Sequence, residues 1–264
     1  MLVGDHVQLR ATIGKHASAL DFDVSLMERL WANSGDESIG RVMLDTQYRM
    51  HPDLCKFPSS EFYEEQLLTA DVCFDIPLPM SKFPWPELDL ENNAGFRQQG
   101  RRSVFIQCDG PEDYGSKSKA NQTQAKLCKE ILVLLTTAPG DFPRSGGSPD
   151  RSTTPPPSIA VLTPYSRQAD LVRQLCGGVT VSTIDGFQGQ EADIVIFTTL
   201  RCNLHRDIGF LKDMRRMNVA LTRARAGMII IGDSLTLTQN QDEEACRAWG
   251  RLVKTCAKVK MPTI

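Results

Sequence analysis

The sequence has no large excess of charge of one sign, no long hydrophobic run and no phosphate-binding loop of the G-x-x-x-x-G-K-[ST] type. It contains 30 Lys and Arg residues and 32 Asp and Glu residues, so the overall charge indicates no polyanionic partner. Any basic surface has to be local. The longest apolar run, residues 131–135, is far shorter than the roughly 20 residues that a membrane-spanning helix needs. The first residues do not combine a basic stretch with an apolar one, as a signal peptide would. Neither a membrane partner nor secretion is predicted.

The eight cysteines form no C-x-x-C pair, and several of them lie within apolar runs. This pattern is typical of reduced thiols, so we expect a protein of the cytoplasm or the nucleus. Cys202 and His205 have the spacing of half a zinc site, but the sequence contains no second half. No metal ligand is predicted in this chain.

Apolar runs that read as buried strands alternate with helical patterns along the chain. This alternation predicts an α/β fold in which a parallel sheet carries helices on both faces. Strands are predicted at residues 1–3, 103–107, 159–163, 179–182, 194–199 and 228–231, and helices at 25–33, 121–137 and 166–176. The helix at 121–137 has one apolar stripe and a capping Asn at its start.

Two segments are predicted to lack regular structure. Residues 76–102 are dominated by proline, glycine and polar side chains. Residues 138–158 are rich in Pro, Gly, Ser and Thr, so burial of apolar groups cannot offset the entropy that ordering would lose. We expect a disordered insertion at 138–158 rather than a domain boundary.

A polar turn with two glycines follows the predicted strand at 179–182. Gly186 and Gly189 allow a ligand to approach the backbone, while Gln188 and Glu191 offer an amide and a carboxylate for phosphate and sugar contacts. Because ligands of such sheets bind beyond the carboxyl ends of the strands, we expect the polar clusters that follow predicted strands, residues 4–9, 163–168 and 183–185, at that edge. An ordinary turn with a capping acid explains the same residues.

Further along, residues 214–225 are predicted to form a helix that carries arginines. Its stripe of Met214, Met217, Leu221 and Ala224 would face the core. On such a helix two arginines, at positions 223 and 225, point about 160° apart, so only one reaches a given phosphate. A solvated basic face is the alternative.

An aromatic residue also stands next to a guanidinium, at Tyr48 and Arg49, just before the proline at position 52. The ring could stack on a base while the arginine reaches a phosphate. A strand end with a surface arginine is the alternative, and spacing does not decide between the two.

Together these segments resemble the motifs of superfamily 1 helicases of the up-frameshift type, a branch that includes RNA helicases of nonsense-mediated decay, senataxin-like proteins and NFX-type zinc-finger helicases. The resemblance covers nearly the whole chain apart from the insertion and the C-terminal tail. It rests on five segments in the family's order: Gly4-Asp5-His6-x-Gln8-Leu9, Gln47-Tyr48-Arg49-Met50-His51-Pro52, Thr163-Pro164-Tyr165-x-x-Gln168, Asp185-Gly186-Phe187-Gln188-Gly189-Gln190-Glu191 and Asn218-Val219-Ala220-Leu221-Thr222-Arg223-Ala224-Arg225.

This resemblance implies a RecA-like P-loop NTPase lobe, with ATP bound between two such lobes and single-stranded RNA or DNA across their top. It assigns ATP contacts to six residues: Gln8 at the γ-phosphate, Arg49 and Arg223 as arginine fingers, Tyr48 against the adenine, and Gly189 and Glu191 on the ribose and γ-phosphate side. It assigns the nucleic-acid path to Thr163, Pro164, Tyr165, Gln168 and Thr183. Groups of these types hold phosphates without reading bases.

The family's phosphate-binding loop and its Asp-Glu pair for Mg²⁺ do not precede the Gly4-Asp5-His6 motif. We therefore expect residues 1–40 to be the end of a first lobe, 41–240 a second lobe, and 241–264 a C-terminal helix and tail. The Mg²⁺ ligands would lie in the missing first lobe, and the chain alone would be inactive. A stand-alone, non-catalytic module that binds nucleic acid or a helicase is the alternative. A small kinase would need a phosphate-binding loop in this chain, and none is found.

Overall fold

The computed structural model describes residues 1–32, 40–86, 101–113, 118–137 and 156–261. The α-helices of these residues are Lys15–Ser18 (α1), Leu26–Ala32 (α2), Pro52–Phe62 (α3), Gln122–Thr136 (α4), Ser166–Leu175 (α5), Met214–Leu221 (α6), Ser234–Thr238 (α7) and Glu243–Thr255 (α8). The strands are Thr46–Gln47 (β1), Leu68–Thr69 (β2), Ser103–Gln107 (β3), Ile159–Thr163 (β4), Thr180–Thr183 (β5), Ala192–Thr198 (β6), Ala224–Gly232 (β7) and Ala257–Lys258 (β8). Short 3₁₀ turns lie at Asp71–Cys73, Asp185–Phe187 and Gly209–Lys212.

The main sheet is parallel at every pairing, in the order β5-β4-β6-β7-β3-β8. β1 and β2 form a separate parallel pair. The central strands β4, β6 and β7 are nearly continuous apolar runs, and such runs suit strands that are covered on both faces. The predicted α/β fold is confirmed.

Helices cover the two faces of the sheet and create two cores. On one face Leu54 of α3, Met217 of α6 and Trp249 of α8 pack into one hydrophobic cluster. On the other face Ile131 of α4 and Val172 of α5 belong to the second cluster. The asparagine at position 121 caps α4 as predicted, because its side chain accepts a hydrogen bond from the Gln124 amide.

Two of the predicted elements are wrong. Residues 1–3 form no strand, and their side chains are exposed. The predicted arginine helix ends at Leu221, so Arg223 lies in the following turn and Arg225 lies in β7. The predicted angle of about 160° between these two arginines therefore does not apply, because they do not share a helix. Thr222, whose hydroxyl bonds back to the Asn218 carbonyl, ends the helix.

The first residues pack against α6 through polar contacts. Arg215 of α6 donates to the His6 carbonyl at 3.1 Å and pairs with Glu28 at 2.7 Å. Glu28 also pairs with Arg10 at 2.5 Å, and Arg10 reaches Asp23 at 3.0 Å. This network ties the segment before α3 to the helix that leads into Arg223.

The irregular segments fall partly outside the described residues. Residues 76–86 have no regular element, as predicted, and 87–100 lie outside the described part. Of the predicted insertion, 138–155 lie outside it and 156–158 are irregular. Within the described ranges, no helix has the length and apolar character needed to cross a membrane.

Candidate nucleotide and nucleic-acid sites

Glu191, Arg223 and the segment that carries Arg49 lie at the amino-terminal edge of the sheet. Glu191 directly precedes β6, and the Ala192 amide bonds to the Arg223 carbonyl at 3.1 Å. The segment that carries Arg49 reaches the same edge, because the His51 amide donates to the Arg225 carbonyl at 2.9 Å. Of the polar clusters expected at the carboxyl-terminal edge, residues 163–168 and 183–185 lie at the ends of β4 and β5, whereas residues 4–9 follow no strand.

The polar turn with the two glycines crosses one face of the sheet. Thr183 pairs with Thr163 at the carboxyl-terminal edge, whereas Ala192 pairs with Ala224 at the other edge. Between them Ile184 and Phe187 are buried in the core that α6 covers. The segment 183–191 therefore links the two edges through the core.

Glu191 lies between two arginines at the amino-terminal edge. Its Oε2 accepts from Arg49 Nε at 2.7 Å, and its Oε1 is 3.7 Å from Arg225 Nε. Arg49 also donates from Nη1 to the Thr222 carbonyl at 3.0 Å. The side chains of Arg49 and Glu191 remain 30% and 45% exposed, so both are accessible to a ligand.

Arg223 is buried beside this pair. Its guanidinium donates to the Val219 carbonyl at 2.9 Å, to the Thr222 hydroxyl at 2.9 Å and to the Gln190 carbonyl at 3.4 Å. Burial, followed by the positive charge of Arg49, lowers the pKa of Arg223 to about 10. The group is still charged at neutral pH, and its bonded partners among the described residues are neutral oxygens.

Gly189 and Tyr48 are two further residues that were predicted to contact ATP. Gly189 has φ +81, a left-handed conformation that favours glycine, and a β-carbon at this position would meet no atom within 4 Å. Tyr48 is 72% exposed, so its ring is free to cover a flat ligand. Both lie within a few residues of the arginine and carboxylate groups along the chain.

Gln8 is held in place by a polar chain that leads to α6. Its Nε2 donates to Asp5 Oδ2 at 2.7 Å, which also accepts from the Tyr63 hydroxyl at 2.7 Å. Asn218 of α6 in turn donates to the Tyr63 oxygen and to the Val7 carbonyl, both at 3.0 Å. Burial raises the pKa of Tyr63, so its hydroxyl stays protonated at neutral pH. Spacing along the chain gave no signal for Tyr63.

The predicted nucleic-acid residues lie at the opposite, carboxyl-terminal edge. Pro164 and Thr183 are partly exposed, whereas Thr163, Tyr165 and Gln168 are buried. Gln168 bonds through both amide atoms to the backbone of Asn121, at 2.7 and 3.2 Å. Glu191 and Arg223 are therefore separated from the predicted nucleic-acid residues by the length of the strands.

A buried ion pair that the sequence did not reveal supports this second edge. Arg201 donates to Glu112 at 2.9 Å, to the Tyr165 hydroxyl at 3.0 Å and to Asp207 at 2.7 Å. Glu112 is fully buried and also pairs with Lys119 at 2.5 Å. The network joins the loops that follow β3, β4 and β6.

No group of three or more His, Cys, Asp or Glu side chains suited to a metal ion occurs in the part of the chain that the structure describes. The carboxylates of the amino-terminal edge are engaged by arginines. A nucleotide at this edge would therefore meet guanidinium groups.

Comparison with known proteins identifies the family. The model of the AAA domain family matches residues 22–235. Regulator of nonsense transcripts 1 of Dictyostelium discoideum is 34% identical over 91% of this chain and 17% of its own length. ATP-dependent helicase NAM7 of Saccharomyces cerevisiae is 34% identical over 91% of this chain and 23% of its own length. Helicase sen1 of Schizosaccharomyces pombe is 31% identical over 99% of this chain and 14% of its own length.

The chain thus spans less than a quarter of each of these relatives. The match agrees with the parallel sheet and its two helical faces, which are those of a RecA-like P-loop NTPase lobe. The resemblance drawn from the five motifs is confirmed. The chain belongs to the AAA domain family and, within it, to the superfamily 1 helicases of the up-frameshift and senataxin type.

Proposed function

We propose that this chain acts as the second RecA-like lobe of an ATP-dependent helicase and supplies two arginine fingers, Arg49 and Arg223, to ATP hydrolysis. Residues 1–40 would be the end of the first lobe, 41–240 the second lobe, and 241–264 a C-terminal helix and tail. The observation that carries the proposal is the convergence of both guanidinium groups on one edge, beside the open backbone at Gly189.

Arg49 is suited to leave its partner Glu191 when ATP binds. Its pair with Glu191 is partly exposed, and such pairs contribute about 0–1 kcal/mol. A triphosphate carries more negative charge than one carboxylate, so transfer of the guanidinium to phosphate costs little. Glu191 would then be free to accept hydrogen bonds from the ribose hydroxyls.

Arg223 is suited to act as an arginine finger that stays in place. It is buried, charged at neutral pH and bonded to neutral oxygens, so its charge is not cancelled by a carboxylate in direct contact. An arginine at the equatorial oxygens of the transferred phosphoryl group can raise the rate by about 10³–10⁵. Gln8 would contact the γ-phosphate and Tyr48 the adenine. The phosphate-binding loop and the Mg²⁺ ligands would come from the partner lobe.

The carboxyl-terminal edge would carry single-stranded RNA or DNA. Pro164 and Thr183 are exposed enough to contact a strand directly. The buried Thr163, Tyr165 and Gln168 would shape that path by holding the backbone of the loops. Names such as Regulator of nonsense transcripts 1 favour RNA as the strand. The eight free thiols favour the cytoplasm or the nucleus.

The test is a chimera in which this chain replaces the matching segment of yeast NAM7, which provides the rest of the ATPase. We expect RNA-stimulated ATP hydrolysis by the chimera and a fall of about 10³-fold or more in kcat for Arg49→Gln and for Arg223→Gln. Arg247→Gln is the control, because Arg247 is an exposed residue of α8 whose ion pair with Glu243 lies within that helix. Binding of a single-stranded RNA should change less than twofold in all three variants.

Activity of both finger variants within threefold of the parent chimera would contradict the proposal. Circular dichroism of the variants shows whether the fold is kept, and Arg223→Lys provides a second, conservative variant at the buried position. A chain that binds single strands while its chimera never hydrolyses ATP would instead favour a non-catalytic module.

A further inference from the structure

An open cleft of about 800 Å³ lies next to Tyr165 at the carboxyl-terminal edge. One wall is the loop that contains residues 205–210 and 212, and the other is formed by residues 240–242, just before α8. The buried Arg201 and Tyr165 form part of its lining. None of the ATP residues lies in this cleft, and of the predicted nucleic-acid residues only Tyr165 does.

The charged side chains of the cleft differ in whether they have partners. Asp207 pairs with Arg201 and accepts from the Gly209 amide at 2.9 Å, and Asp242 caps α8 by accepting from the Ala245 amide at 3.0 Å. By contrast, Arg206 and Lys212 are exposed and form no ion pair among the described residues. Their charges are therefore available to an anionic ligand.

An aromatic ring stands beside these cations. Phe210 is 52% exposed, although the Arg216 guanidinium lies over its ring at 5.3 Å and the centroid of the Tyr165 ring is 5.3 Å away. A large aromatic side chain that is supported by its neighbours and open to solvent is a stacking platform for a nucleobase. The cleft thus combines exposed positive charge with an exposed aromatic ring, the two features that single-strand binding surfaces share.

The loop that carries these groups is fixed in shape. Arg206 has φ +54 and Gly209 has φ +53. A β-carbon at Gly209 would clash with Arg201 and with the Tyr165 hydroxyl, so the glycine allows the loop to lie against the buried ion pair. The platform is therefore positioned before any ligand binds, which reduces the entropy lost on binding.

We propose that this cleft is a binding site for single-stranded nucleic acid that extends the path beyond Tyr165, with a base stacked on Phe210 and backbone phosphates held by Arg206 and Lys212. The proposal rests on the proposed function, since it takes the strand at the carboxyl-terminal edge as given. The contacts involve phosphates and a ring face, so binding would be independent of sequence.

The test measures binding of the intact chain to a fluorescein-labelled oligouridylate of 12 nucleotides by fluorescence anisotropy at several salt concentrations. We expect the double variant Arg206→Gln, Lys212→Gln to weaken binding and to reduce the slope of log K against log salt by about 1.4, since each lost phosphate contact removes about 0.7. Phe210→Ala should weaken binding about fivefold or more through lost stacking. The matched control is Lys126→Gln, Lys254→Gln, which removes two exposed lysines elsewhere on the surface.

A Thr183→Ala variant separates the two proposals. If it weakens binding while the cleft variants bind as tightly as the control, the cleft is not a site and the path at Thr183 stands. If the intact chain binds no oligonucleotide at low salt, both proposals fail. A cleft double variant with the same salt slope as its control would also overturn the inference.

Discussion

We expect replacement of Glu112 by glutamine to lower the stability of the lobe, although this residue belongs to neither predicted site. Glu112 is fully buried and accepts four hydrogen bonds. Its Oε1 accepts from Lys119, and its Oε2 accepts from Arg201 Nε at 2.9 Å, the Cys202 amide at 3.1 Å and Asn203 Nδ2 at 3.2 Å.

The magnitude follows from the donors that lose their acceptor. A glutamine carbonyl can still face the three donors at the Oε2 position, but its amide group then points at the Lys119 ammonium. Because hydrogen bonds to charged groups contribute about 1.5–3 kcal/mol, Glu112→Gln should lower the free energy of unfolding by about that amount. Within the described ranges, Glu112→Ala leaves Arg201 with Asp207 as its one charged partner and should cost about 3–5 kcal/mol.

Urea denaturation followed by circular dichroism measures both values at low and high salt. The loss should be nearly independent of salt, because buried pairs are poorly screened. Glu130→Gln, on the exposed face of α4, is the control and should change stability by less than about 0.5 kcal/mol. The reasoning is refuted if both Glu112 variants unfold at the same urea concentration as this control.

Two glycines and one histidine allow further tests. Gly227→Ala in β7 places a β-carbon 2.7 Å from the Trp85 ring and should destabilise the lobe by about 1–3 kcal/mol. The β-carbon of Gly250→Ala in α8 meets no atom within 4 Å, so this variant should stabilise the lobe by about 0.5–1 kcal/mol. The two variants should therefore shift the melting temperature in opposite directions. Burial, with a smaller effect from Arg102, lowers the pKa of His51 to about 4 from 6.5. The unfolded chain therefore binds more protons between these values, and the free energy of unfolding should fall as pH drops from about 6.5 to 4. His51→Asn keeps a capping acceptor and should flatten that part of a stability–pH profile; an unchanged slope would exclude His51 as its source.

The strands and the main helices could be predicted from the sequence because their signals are local. The apolar run of β6 and the capped, striped helix α4 each depend on neighbouring residues. The edge at which Glu191 lies could not be predicted, because it depends on how the chain returns across the sheet after β5. The extent of α6 was overestimated because Arg223 and Arg225 continue a helical pattern that the turn at Thr222 interrupts.

Buried polar contacts were the least predictable part of the candidate sites. Glu112 stands between a proline and an aspartate, which reads as an exposed loop, yet its partner Arg201 is 89 residues away along the chain. Tyr63 likewise meets Asp5 only after folding. Such pairs require tertiary structure, because spacing along the chain carries no information about them.

The segment that crosses the sheet from Thr183 to Glu191 limits the insertions that the lobe can tolerate. Its two ends are fixed by strand pairing, and its middle is anchored by the buried rings and methyl groups of Phe187 and Ile184. The segment is therefore a spacer of set length. One added residue would shift either the hydroxyl at one edge or the carboxylate at the other, so natural variation here should take the form of substitutions rather than insertions or deletions.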